Sequence, residues 1–408
     1  MAIKSGQILH DANGFVVDRI QSGGVSNLNI PQEKVYELGN YQTVATVRDI
    51  PDLSFDLEST DVSTEIEAIL THRTPSLVAT GDQLDFANSA PIDIISPFKS
   101  ATGAFDIVKG ISIPYLTLET AAYRFGVRQN STQSFTLRGD SVYYIPGSPY
   151  YQDIALANNI LTYNFSHTAI KYVESGADIY ALSACVKNPA TGAYKRLFYS
   201  TTSSDGYTNS ATQITVLTDW FDAGYTRLHV TFGSTTAATY AQAVHETTSV
   251  KPAAVRAKDV CLYVSDGAST PTLGKWAGVQ SFEVTRQVNL DNDEEFCNTK
   301  FVSSDYDTAD VTGNAVVKSV DTADLFAKIA QVANVPTNEV VGPFSSQPLE
   351  VEVQIKDPDT GTVLKSLDIP DARFTIPAVQ GRVQTKLETT FNFTSDGGTL
   401  YVYKGAKP

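Results

Sequence analysis

The chain matches itself about 258 residues further on. Ile20-Gln21-Ser22 returns as Val279-Gln280-Ser281, Glu37-Leu38-Gly39-Asn40 as Glu295-Phe296-Cys297-Asn298, and Asp61 with Ile69 as Asp321 with Ile329. Thr102-Gly103 returns as Thr360-Gly361, and Lys109 with Ile113-Pro114 as Lys365 with Ile369-Pro370. Ser134-Phe135 and Val142-Tyr143 are answered by Thr390-Phe391 and Leu400-Tyr401. The shift stays between 256 and 260 across these ordered matches. Self-similarity at so long a spacing reads as a duplicated domain. It divides the 408 residues into a first copy over 1–150, an insert over 151–254 and a second copy over 255–408. Each piece has the size of an ordinary domain.

Charge follows the same division. Of the 30 basic and 45 acidic side chains, residues 1–150 hold 10 and 17, residues 255–408 hold 14 and 21, and the insert holds 6 and 7. The acidity therefore belongs to the repeated unit. A net charge of −15 argues against a protein that grips nucleic acid by its phosphates, which requires clustered cations. The first 30 residues lack the pattern of an export signal, and no run of 18 apolar residues is long enough for a membrane helix, so no membrane partner is expected.

Strand patterning dominates. Leu53, Phe55 and Leu57 alternate with Asp52, Ser54, Asp56 and Glu58. Leu349, Val351, Val353 and Ile355 alternate with Glu350, Glu352, Gln354 and Lys356, and Leu387, Phe391 and Phe393 lie opposite Lys386, Glu388, Asn392 and Thr394. A period of two with one apolar side predicts antiparallel sheets with one wet face, acids outward. One short helix is expected in each copy. Asp61 caps a segment with Ile66, Ile69 and Leu70, and Asp321 caps one with Leu325, Phe326, Ile329 and Val332. Long polar loops are expected after them, over Arg73–Pro91 and Val335–Pro348. In the insert, short strands separated by turns predict a small β-sandwich. The fold class is thus mainly β: two tandem β-sandwich or barrel domains, each with one helix, plus an inserted β-sandwich.

No chemistry stands out. His10, His72, His167, His229 and His245 never fall at metal-ligand spacing, and glycine loops for phosphate and nucleophile elbows are absent. Asp291, Asp293, Glu294 and Glu295 cluster without the glycine of a calcium loop and read as a solvated strand end. Asp357-Pro358-Asp359-Thr360-Gly361 reads as a hairpin turn. Trp220, Tyr207 and Tyr225 fit core packing better than a sugar platform. Cys185, Cys261 and Cys297 form neither a disulfide framework nor a zinc site and read as buried small hydrophobes. No catalytic residue, metal or cofactor is expected.

The pattern of Tyr36-Glu37-Leu38-Gly39-Asn40, then Val47-Arg48-Asp49-Ile50-Pro51-Asp52, then the alternating strand and the Asp61 helix, resembles the tail tube proteins of tailed bacteriophages. The second copy carries it as Trp276 to Phe282, Glu294-Glu295-Phe296 and the Asp321 helix, with Cys297 in place of Gly39 and no proline matching Pro51. The resemblance implies two fused tube domains of the kind found in long-tailed siphophages. Three chains would close a pseudo-sixfold ring, and stacked rings would form the major conduit of the tail. It also implies a virion protein made in the host bacterial cytoplasm, with tape measure and tail terminator or tip proteins as partners. Genomic DNA would pass through during ejection without specific binding. On this reading Asp52, Asp56, Glu58, Glu350 and Glu352 line an acidic lumen, while Arg73, Asp82, Asp85, Asn338 and Glu339 sit on loops between rings. The insert is then an exterior decoration. The competing readings are a surface adhesin with duplicated binding domains and a β-rich carbohydrate-active enzyme.

Overall fold

The computed structural model describes residues 11–17, 20–29, 32–35, 45–48, 50–60, 63–98, 106–107, 109–174, 176–190, 192–236, 238–239, 255–265, 273–293, 300–301, 303–318, 348–375 and 389–408. The first half contributes β1 (Ile20–Asn29), β2 (Asp52–Ser59), helix α1 (Glu65–Leu70), β3 (Gln83–Asp85), β4 (Ile92–Phe98), β5 (Lys109–Gly126), β6 (Thr132–Gly139) and β7 (Tyr143–Ile145). The insert follows with β8 (Ser148–Ala155), β9 (Ser183–Lys187), β10 (Tyr194–Arg196) and β11 (Arg227–Ser234) among its strands. The second half contributes β12 (Val260–Ser265), β13 (Val279–Asp293), β14 (Ser303–Val317), β15 (Leu349–Lys356), β16 (Val363–Thr375), β17 (Thr389–Ser395) and β18 (Tyr401–Lys404).

The protein is mainly β, and its two halves share one barrel-like strand system. Eight antiparallel strands run in the order β1-β2-β6-β5-β13-β14-β17-β16. The middle of that row is the junction of the halves, where Thr120 to Gly126 of β5 pair with Gln287 to Ser281 of β13. The long strands β5 and β16 each serve a second layer as well. β5 also pairs with β4 and β7, and β16 with β15 and β18.

The halves lay down the same pairings in the same order. Gly110, Ile111 and Ser112 oppose Ile145, Tyr144 and Tyr143, while Ser366, Leu367 and Asp368 oppose Tyr403, Val402 and Tyr401. Thr117 opposes Arg138, and Arg373 opposes Thr394. Both halves slip register at a proline. The shift between Ile113 and Leu116 brackets Pro114, and the shift opposite Leu349 and Val351 brackets Pro370. Proline donates no ladder hydrogen bond and sits in strands at such bulges. Side-chain volume is exchanged inside this shared plan. Phe55 lies opposite Leu137, whereas Gly313 lies opposite Phe393. A Cβ at Gly313 would stand 2.2 Å from the Phe393 ring, so the larger aromatic occupies space that the glycine leaves.

Apolar residues of alternating strands merge into one core running through both halves, from Leu53, Phe55 and Leu57 to Val351, Val353, Phe391 and Phe393. Helix α1 buries Ile66, Ala68, Ile69 and Leu70 in it. Its N-cap position is Thr64, and Ser63 Oγ accepts from the Glu65 N–H at 3.3 Å. Asp61, expected as the cap, and the whole Asp321 helix lie outside the described residues.

The insert is a sandwich of two four-stranded sheets. One is β8-β11-β9-β10, and the other holds Thr162–Asn164, Gln213–Val216, Gly206–Asn209 and Phe198–Tyr199. Its own core includes Phe165, Val186, Ile214, Trp220, Val230 and Phe232. Trp220 meets Tyr225 edge-on at 5.5 Å, and the Tyr207 hydroxyl donates to the Ala181 carbonyl at 3.0 Å, so these aromatics pack inward.

One expectation is corrected. The segment Arg73–Pro91 is not an unstructured loop. It carries 3-10 turns at Pro75–Leu77 and Phe86–Asn88, and β3 pairs with the C-terminal strand β18. The insert, expected as an exterior decoration, is joined to both halves through a buried knot. Arg196 of β10 donates to Asp140 at 2.5 and 3.0 Å and to the Phe301 carbonyl at 2.7 Å. The Phe301 N–H donates to Asp140 at 2.8 Å. Burying a guanidinium and a carboxylate is tolerable only with this degree of mutual satisfaction.

Candidate functional site

The eight-strand row has an apolar face, packed on the core, and a polar face. On the polar face β2 presents Asp52, Asp56 and Glu58, because Leu53, Phe55 and Leu57 occupy the opposite side. The same alternation places Ser134, Thr136 and Arg138 of β6 beside them, then Arg124 of β5, Glu283 and Gln287 of β13, Asp310 and Thr312 of β14, Asn392 of β17 and Arg373 of β16. The face therefore crosses the junction between the halves without interruption.

Among the described residues its arginines are all paired. Both Asp52 oxygens accept from Arg138 Nη1, at 2.8 and 2.9 Å, and Arg138 Nε donates to Glu119 at 2.9 Å. These two carboxylates raise the guanidinium's already high pKa, so Arg138 stays charged. Arg124 Nε donates to Glu283, its cross-strand neighbour at the junction, at 2.7 Å. Arg373 forks onto Asp396. Asp56 accepts from Thr136 at 2.8 Å and Glu58 from Ser22 at 3.3 Å. Asp56, Glu58 and Asp310 make no ion pair among the described residues, so the unmatched charge on this face is negative. Exposed pairs of this kind contribute about 0.2–1 kcal/mol each and set the surface potential more than the stability.

The structure separates the five candidate lumen acids into two groups. Asp52, Asp56 and Glu58 share the polar face. Glu350 and Glu352 lie elsewhere, on β15 in the second layer. The expectation that all five face water fails at Glu352, which is 4% exposed, and Glu350 is half-buried. Near Glu350 and Asp368 the last residues fold over this side. Lys407 Nζ donates to Glu350 at 2.7 Å and to Asp368 at 2.9 Å, while Gln354 donates to Glu352 at 2.9 Å. Asp368, registered opposite Glu352, is 2% exposed, and burial pushes its carboxyl up to about 6, with Lys407 opposing and Glu350 and Glu352 reinforcing the rise. The counterparts of Glu350 and Glu352 in the first half are Asp93 and Ile95, which the insert covers; Thr231 donates to Asp93 there.

The described loop candidates, Arg73 exposed and Asp82 and Asp85 half-buried, bond within their own segment. Arg73 pairs with Asp82 at 2.6 Å, and Asp82 also accepts from the Ala79 N–H at 3.0 Å, which lowers its carboxyl below the usual range. Asp85 accepts from the Ala87 N–H at 2.9 Å and caps a 3-10 turn. Asn338 and Glu339 lie outside the described residues, as do Glu294, Glu295 and Cys297. Cys185 is buried, which pushes its thiol up, and Cys261 is half-buried. Among the described residues no group of three or more His, Cys, Asp or Glu is placed to hold a metal ion.

Glu119, Arg138, Arg124 and Glu283 complete the polar face and were not singled out from sequence. The alternation of β6 and β13 marks Arg138 and Glu283 as outward-facing, but nothing local marks the four residues as neighbours. No protein-family model matches the chain, and no curated protein matches it.

Proposed function

We propose that the chain is a structural tail tube protein of a tailed bacteriophage, in which three copies close a pseudo-sixfold ring and stacked rings conduct genomic DNA. One observation carries this reading: a single antiparallel sheet crosses from one half to the other, with a polar face whose unmatched charge is negative. The matching pairings and prolines of the halves support descent from a duplicated unit. The β5–β13 junction then serves as the template for the contact between chains. Among the described residues β1 pairs only with β2, and we assign its other edge to the neighbouring chain. In the second half the counterpart of the β5 stretch at the junction is 376–382, outside the described residues. A head-to-tail contact that repeats with closing rotation produces a ring.

The polar face is assigned to the lumen, where a wall of unmatched carboxylates repels a polyanion and prevents it from sticking. Asp52, Asp56 and Glu58 are kept as lumen residues; Glu350 and Glu352 are not. No catalysis is assigned. The test is cryo-electron microscopy of the assembled protein. Three chains per ring, with β1 of each against the second half of the next, is the expected result. Six chains per ring, or monomers with no central hole, would sink the proposal.

A further inference from the structure

Where α1 ends against the first sheet of the insert, a pocket of ≈ 290 Å³ opens between the two. Its walls come from distant parts of the sequence. Asn13 and Phe15 belong to the hairpin at the start of the first half, His72 follows α1, and Asp153, Lys187 and Arg227 come from β8, β9 and β11. None of this is part of the polar face described above.

The charges in the pocket do not cancel. Asp153 is the one carboxylate among the lining residues, and Arg227 consumes it, donating from Nε at 2.8 Å and from Nη2 at 2.6 Å. Arg73, also in the wall, has its own partner in Asp82. Lys187 has none among the described carboxylates. Its Nζ donates to the His72 carbonyl at 2.9 Å, a neutral acceptor. An ammonium partly withdrawn from water, whose nearby carboxylate Asp153 is already bridged to Arg227, is costly, and an anion arriving beside it relieves that cost. The imidazoles add no competing charge. His229 accepts or donates at Nδ1 with the Tyr194 hydroxyl at 2.8 Å and lies 3.4 Å from Asp153, and His72 Nε2 meets the Pro91 carbonyl at 2.9 Å. Burial lowers His72 to about 3 and His229 to about 4, so both are neutral. Phe15, 38% exposed, gives the pocket an apolar wall.

We propose that this pocket binds a small anionic ligand through a carboxylate or phosphate group, seated on Lys187 Nζ and on Arg227 Nη1, which Asp153 leaves unused. The ligand's remaining atoms lie along Phe15. Pockets of about this volume are at the small end of those that hold organic ligands.

Protonation gives a second handle. Burial lowers Lys187 to about 8, with Asp153 opposing and Arg227 assisting. The charged and titratable groups facing it are Asp153, Arg227, Arg73, Tyr151 and the two neutral imidazoles. Binding that depends on the ammonium is therefore strong near pH 7 and lost as pH rises through 8 and above.

The test is calorimetric titration of the full-length chain at constant ionic strength with inorganic phosphate, with glucuronate and with neutral glucose. Saturable millimolar or tighter binding of phosphate or glucuronate is expected, with none for glucose. Preference between the two anions identifies the source of the group. Lys187→Met should weaken that binding about tenfold or more, the effect of losing one charge-assisted hydrogen bond. The same loss should appear in the unmodified protein between pH about 7 and about 9.5, which keeps the test decisive if the variant does not fold. Failure of both anions to saturate, or binding unchanged at the higher pH, overturns the proposal. Neither outcome depends on whether the chain forms rings.

Discussion

At Asp368 the position of one carboxyl turns into a measurable pH effect. The native fold raises it from 3.8 to about 6, chiefly by burial. A proton held by the folded state and released by the unfolded chain stabilises the fold fully below about pH 4. That contribution disappears as pH rises through about 6. Asp368→Asn removes the titration and nearly preserves the shape. The variant should gain on the wild type between pH 4 and 7 and hold a constant advantage above, by roughly 3 kcal/mol over the range. Urea midpoints of both proteins across that range are the measurement. A difference that stays flat would show that Lys407 already compensates the buried charge. Glu352 makes the related point about legibility. Its strand position, outward by alternation, was readable from Leu349, Val351, Val353 and Ile355. Its burial was not, because Asp368, the residue registered opposite it, comes from another strand.

Strands were the legible elements, because a period of two is written into neighbouring residues. β2, β15 and β17 follow the alternation of Leu53-Phe55-Leu57, Leu349 to Ile355, and Phe391-Phe393. The turn at Asp357–Gly361 also has a local cause. The Gly361 N–H donates to the Asp357 carbonyl at 2.9 Å, and Gly361 takes φ +72°, a conformation that favours glycine. Elements completed by a distant partner were missed. β3 has three residues and no pattern of its own; Leu84 is buried because Val402 of β18 lies opposite it. Removing residues 400–408 should therefore release the segment 73–91 while most of the sheet survives. Trypsin cleavage after Arg73 is expected to accelerate by at least tenfold, since local opening of a few kcal/mol governs such cuts. Equal cleavage rates in the truncated and full chains would mean that Arg73–Asp82 and the 3-10 turns hold the segment unaided.

Across the whole molecule, two buried polar knots fix how the three parts are mounted. Asp140, Arg196 and Phe301 join the first half, the insert and the second half at one point. Arg196→Met leaves Asp140 buried without its counter-charge, and a loss of about 3–5 kcal/mol is expected. Adding Asp140→Asn should recover a large part of it, because the stranded charge is then gone. Chemical denaturation of both single variants and the double variant measures the coupling, and additive losses would show that the knot is not a charge pair in energetic terms. The second knot lies between the halves. Lys365 of β16 donates to Glu67 of α1 at 2.5 Å and to Gln133 at 2.8 Å, and the Tyr123 hydroxyl donates to Glu67 at 2.9 Å, all of them buried.

That second knot sets a clock on synthesis. Glu67 and Lys365 are 298 residues apart. At about 5–20 residues per second a ribosome needs roughly 15–60 s to travel from one to the other. Through that interval the nascent first half carries α1 with an acid meant for the interior and no lysine to meet it. Half of the junction sheet also has its pairing edge open. Such an intermediate is exposed to aggregation and is a natural client for chaperones on the ribosome. The order of the halves in the gene thus decides which surface the cell must shield while the chain is being made.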